Sequence, residues 1–89
     1  MENESQMLDE ISRFVSDYVK FLGLSRDYVC IEAKIGAETY HKILKGEMVW
    51  FPAYMKLLLL FREEAGEEEL NRRLQNLFRT LDEYSKEKG

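Results

Sequence analysis

The chain holds one cysteine, one histidine and one proline, and its longest unbroken apolar run, Leu57–Phe61, is five residues. Cys30 has no second cysteine to pair with, so no intrachain disulfide forms, and a reducing location, the cytoplasm, is expected. A five-residue run is far below the roughly 20 apolar residues that a membrane helix needs. The first residues carry Glu2, Glu4, Asp9 and Glu10 and no apolar h-region, so they do not read as a secretory signal. His41 and Cys30 lack the further ligands of a zinc site, which takes about four. Cys30 reads as core filler. No nucleophile–base pair, phosphate-cradling glycine loop or convergent carboxylate pair is evident, so neither an enzyme nor a cofactor is expected. With Pro52 the only proline, long stretches are free to be helical.

Basic excess is also missing. The net charge is −4, from 13 Lys and Arg against 17 Asp and Glu. It is unevenly spread: residues 1–23 carry two cations against five anions, residues 24–56 five against four, and residues 57–89 six against eight. Contact with a polyanion should therefore be sought in the middle third.

What is present fits one small all-α domain. At 89 residues, with 45% hydrophobic and 34% charged content, the chain is neither disordered nor long enough for two domains. A core of this size is modest, and dimerisation would enlarge it. The first six residues are polar and expected to fray. From Met7, the positions Leu8, Ile11, Val15, Tyr18, Val19 and Leu22 follow helical spacing up to Gly23, with Phe14 and Phe21 widening the stripe. Ser25 caps a short helix from Arg26 to about Ala33. Ala37–Lys45 forms the next, with Tyr40, Ile43 and Leu44 inward and Gly46 at its end. Pro52 suits the start of a fourth helix, Ala53–Glu64, apolar almost all round and so central. After Gly66, three glutamates open a last helix, and Lys86 and Lys88 complement its far end. Within it Leu70, Leu74, Leu77, Leu81 and Tyr84 form a heptad seam beside Phe78.

The segment Leu22–Gly46 reads LGLSRDYVCIEAKIGAETYHKILKG. Its ordered features are Gly23-Leu24-Ser25 before one helix, small Cys30 and Ala33 at a helix crossing, Ala33-Lys34-Ile35-Gly36 before the next, and Ile43 followed by Gly46. In this order they resemble the helix-turn-helix of Cro/repressor-type regulators, the xenobiotic-response-element family. The resemblance covers roughly residues 8–65, with the Pro52 helix matching the family's fourth. It implies a five-helix domain in which residues 7–65 form the helix-turn-helix core and 66–88 an amphipathic helix for docking or dimerisation. It also implies a transcriptional regulator whose recognition helix enters the major groove of duplex DNA. The DNA-contacting set it implies is Arg26, Lys34, Ala37, Glu38, His41, Lys42 and Lys45, with Lys42 on guanine or phosphate and Glu38 accepting from cytosine.

This chain departs from the family pattern at Lys34, where glycine is common, and at Gly36, where a serine or threonine cap is usual. The connection before Pro52 is longer than usual and holds Met48, Val49, Trp50 and Phe51. Trp50 and Phe51 are expected to fold back over the core between the third and fourth helices. The alternative is an exposed anchor, in a protein-interaction module that keeps the scaffold without binding DNA. Leu74, Leu77 and Leu81 serve either intrachain docking or a homodimer through the first and last helices.

Overall fold

The computed structural model describes the backbone of residues 2–88 and the side chains of residues 4–83. Five α-helices account for nearly all of it, and no strand occurs among the described residues: α1 (Glu2–Leu22), α2 (Arg26–Ala33), α3 (Ala37–Leu44), α4 (Phe51–Ala65) and α5 (Glu67–Lys88). The side chains of Tyr84, Lys86 and Lys88, expected to complete the seam and the far end of α5, lie outside the described residues. No described helix is long and apolar enough to cross a membrane.

Two boundaries differ from expectation. α1 begins at Glu2, so the polar opening residues are helical. α4 begins at Phe51, because Pro52 belongs to the first turn, where its missing N–H costs nothing.

The short helices owe their limits to local chemistry. Ser25 accepts a hydrogen bond from the Tyr28 amide at 3.1 Å and caps α2. α2 ends at Lys34, which takes up the left-handed conformation at φ 61°, ψ 47°. It is the one described non-glycine residue with positive φ. Lys34, standing where glycine is common, thus carries backbone strain at this turn. Gly36 caps α3 without a side-chain hydrogen bond. Gly46 ends the α3 region at φ 81°, and a Cβ there would stand 2.8 Å from the Asp9 carboxylate, so α1 approaches this turn closely. Ser12 fixes the same approach by donating to the Leu44 carbonyl at 2.5 Å.

One core unites all five helices. Val15 and Tyr18 enter it from α1, Val29 and Ala33 from α2, Tyr40 and Ile43 from α3, and Leu70 from α5. α4 contributes Ala53, Leu57, Leu60 and Phe61, consistent with its central place. α4 packs on α1, α2 and α5, while α1 packs on α3, α4 and α5. At the centre the Tyr18 and Phe61 rings stack at 4.4 Å, with Phe14 edge-on to both. The Tyr18 hydroxyl is buried without a hydrogen-bond partner among the described residues, and burial pushes its pKa up. Arg73 of α5 lies 4.7 Å from the Tyr18 ring centre and 4.2 Å from that of Phe21. Its Nε donates to Glu69 at 2.8 Å, and Arg72 pairs with the same carboxylate. These two guanidinium hydrogen bonds hold the Glu69 pKa below its ordinary value. The last helix is therefore docked on its own domain. Cys30 is partly buried against the core, and burial raises its thiol pKa.

Candidate nucleic-acid interface

α2 and α3 are joined by Lys34, Ile35 and Gly36, and both direct their apolar faces inward through Val29, Ala33, Tyr40 and Ile43. By helical periodicity, the remaining face of α3 points away from the core. Ala37, Glu38, His41 and Lys42 on that face are exposed, as are Arg26, Lys34 and Lys45. All seven residues named from the sequence are thus open to a ligand.

They are not equivalent electrostatically. Arg26 stands 3.4 Å from the Asp27 carboxylate, and Lys45 stands 3.8 Å from that of Glu47. Lys34 and Lys42 have no carboxylate partner among the described residues. Both line a depression of about 560 Å³ between the start of α3 and the start of α4. A third cation, Lys56, completes its charged wall, with its Nζ donating to the Lys34 carbonyl at 3.3 Å. Gly36, Thr39 and Trp50 also line the depression, and no carboxylate does. Three lysines thus line one carboxylate-free hollow in a chain of net charge −4, although Lys34 and Lys56 also border a neighbouring depression that Glu32 and Glu63 line. Such a hollow suits phosphate oxygens.

The sequence reading placed Lys34 and Lys42 here but missed Lys56 and Thr39. Lys56 is one of the five cations of residues 24–56 and lies outside the segment that carries the family resemblance's contact set. The signal was available: with Leu57, Leu60 and Phe61 inward, position 56 falls on the flank shared with Pro52 and Ala53, beside the α2–α3 turn.

The expectation for Trp50 and Phe51 is overturned. Trp50 is 81% exposed and Phe51 70%, so neither covers the core. Residues 47–50 run without helical structure, and their side chains alternate: Met48 out, Val49 in, Trp50 out. Val49 packs against the core in place of the larger rings, and its amide donates to the Tyr54 hydroxyl at 3.3 Å.

The other flank of α4 borders an apolar groove of about 370 Å³. Phe14 of α1, Tyr54, Met55 and Leu58 of α4, and the half-buried Leu74, Leu77 and Leu81 of α5 form its walls. Phe51 and Phe78 also line it, and both rings are largely exposed. Among the described residues no group of three or more His, Cys, Asp or Glu side chains is placed to hold a metal ion.

No protein-family model, curated protein or solved structure matches this chain.

The strained turn allows a separate test of the lysine hollow. Lys34→Gly should relieve the left-handed backbone and stabilise the domain by ~1 kcal/mol, raising the melting temperature by about 4–8 °C. The same variant loses one of the three ammonium groups and should bind a polyanion more weakly. Stability and affinity moving in opposite directions, by calorimetry and by titration, would support the assignment. A variant melting at a lower temperature would contradict it.

Proposed function

We propose that this protein is a DNA-binding transcriptional regulator with a helix-turn-helix formed by α2 and α3, as in Cro/repressor-type proteins. The observation that carries this reading is the carboxylate-free hollow of Lys34, Lys42 and Lys56 at the foot of an exposed α3. Lys34, Lys42 and Lys56 hold backbone phosphates of one strand. Lys42 lies at the edge of the recognition helix and also reaches toward the bases. His41 donates one hydrogen bond, Ala37 allows close approach to a thymine methyl, and Glu38 accepts from cytosine N4 while disfavouring other bases. Arg26 and Lys45, each beside a carboxylate, add phosphate contacts at the margins once those neighbours are outcompeted. Addition of a mixed-sequence duplex should shift the backbone amide resonances of residues 34–45, Trp50 and Lys56, and leave those of α5 in place. Shifts confined to α5 and the groove would contradict the reading.

An eight-residue recognition helix reads only a few base pairs, so a single copy discriminates weakly and two half-sites are needed. The apolar groove on the opposite flank of α4 supplies a face for a second copy. A small ligand would fill the groove but leave the exposed Phe51 and Phe78 rings wet, whereas a second copy covers both. Leu74, Leu77 and Leu81 then serve docking within the chain and the floor of a two-fold interface. Phe78→Glu should shift sedimentation from dimer to monomer without lowering the melting temperature at high dilution. An unchanged sedimentation coefficient would remove the dimer from the account.

The exposed Trp50 and Phe51 favour a second reading, a protein-interaction module on the same scaffold. Its aromatic anchor stands beside three lysines that have no carboxylate partner among the described residues, and an apolar partner would have to desolvate them. The DNA reading accounts for the lysines as well as the scaffold and is preferred.

A further inference from the structure

The one tryptophan of the chain is 81% exposed, and it stands on the wall of the lysine hollow. Nothing in the packing of the domain requires it there. Val49 fills the inward position of the connection, and Trp50 only precedes α4, with extended backbone at φ −57°, ψ 138° and no capping hydrogen bond from its side chain. An indole in water exposes a large apolar surface with no stabilising return.

Its surroundings say what covers it. An aromatic anchor for an apolar protein partner sits in a ring of uncharged contacts that exclude water, and lysine is depleted from the cores of such interfaces. Trp50 instead shares its hollow with Lys34, Lys42 and Lys56 and with Thr39, beside the apolar Ile35, Met48, Val49, Pro52 and Ala53. An apolar partner would strip water from three ammonium groups and return nothing to them. A nucleic-acid backbone presents both complements at once: phosphate oxygens for the lysines and an apolar deoxyribose face for the indole. The indole N–H is a donor only, which suits a phosphate oxygen.

We propose that Trp50 is a DNA-contacting residue, its ring packed on the sugar–phosphate chain that Lys34, Lys42 and Lys56 neutralise. The inference rests on the DNA-binding reading above. It assigns to the duplex a residue that the sequence pattern offered only as a core cap or a protein anchor. Because the contact is apolar, it adds affinity without releasing counterions. Trp50 and the lysines therefore differ in kind: removing a lysine changes the salt dependence of binding, while removing the indole changes affinity at every salt concentration alike.

The test uses the full chain and a mixed-sequence DNA duplex, with Trp50 emission excited selectively over the tyrosines. Duplex should quench and shift the emission in parallel with binding measured on the DNA. Trp50→Ala should weaken binding about ten- to fiftyfold, the effect of uncovering roughly a third to a half of an indole's apolar surface. The slope of log affinity against log salt should stay that of the wild type, as should the melting temperature. Trp50→Phe should recover most of the loss. If the wild type binds duplex and Trp50→Ala binds equally well, the inference falls while the DNA-binding reading stands. If the wild type binds no duplex even at low salt, both fall together. A response to poly-glutamate equal to the response to duplex would also overturn the inference, in favour of an acidic protein partner.

Discussion

Phe61→Ala is expected to destabilise the domain by ~3–5 kcal/mol, enough to leave much of the chain unfolded near physiological temperature. Phe61 is fully buried on the central helix, stacked on Tyr18 and edge-on to Phe14. Truncation removes the ring's burial and opens a cavity that α1, α4 and α5 close only in part. The whole domain stands at roughly 4–13 kcal/mol by the usual stability per residue, so one side chain accounts for a large share. Phe61→Leu, which keeps most of the volume, should cost much less. Denaturant melts of the two variants check both statements. A Phe61→Ala loss below about 1 kcal/mol would mean that the aromatic stack is not the centre of the core.

The second large effect is functional. Lys42→Glu combined with Lys56→Glu should weaken binding to a mixed-sequence duplex by about 100-fold or more, since each lost charge-assisted contact contributes roughly 1.5–3 kcal/mol before the added repulsion. The log–log salt slope should fall in magnitude by about 2, one unit for each lost phosphate contact. Both side chains are exposed, and among the described residues the one side-chain hydrogen bond at stake is that of Lys56 to the Lys34 carbonyl. Stability should therefore change by no more than about 0.5 kcal/mol. Measured affinity, slope and melting temperature together separate a lost contact from a lost fold. Glu substituted at both positions with affinity unchanged would place the duplex elsewhere.

The helical order was legible because its signals are local. Ser25 before α2, Gly36 before α3 and Gly46 after it fix the short helices through caps and permitted backbone angles, and none of these depends on distant packing. The apolar spacing of α1 and α5 likewise gave their inward faces, down to Leu70 buried and Leu74 half-buried. What differed was the fate of the large apolar residues at the entry to α4. Trp50 and Phe51 were expected inside because a small core needs bulk, but the extended connection admits only one inward side chain between Met48 and Trp50, and Val49 has it. Alternation along a non-helical stretch decides this, and its phase cannot be set before the ends are anchored. The site was half legible for a similar reason. Lys34 and Lys42 lie within the segment that resembles the family pattern, whereas Lys56 reaches them only through the packing of α4 on α2. The apolar groove needs α1, α4 and α5 together, and no single segment announces it.

The central claim is that this acidic chain binds duplex DNA through the hollow at the foot of α3. It is tested most directly by fluorescence anisotropy of a labelled mixed-sequence duplex, titrated with the full chain at low and at physiological salt. Binding is expected with a dissociation constant of roughly 10⁻⁴–10⁻⁶ M at physiological salt and considerably tighter at low salt. No change in anisotropy at low salt would contradict it and move the function to the exposed aromatic surface of Trp50 and Phe51.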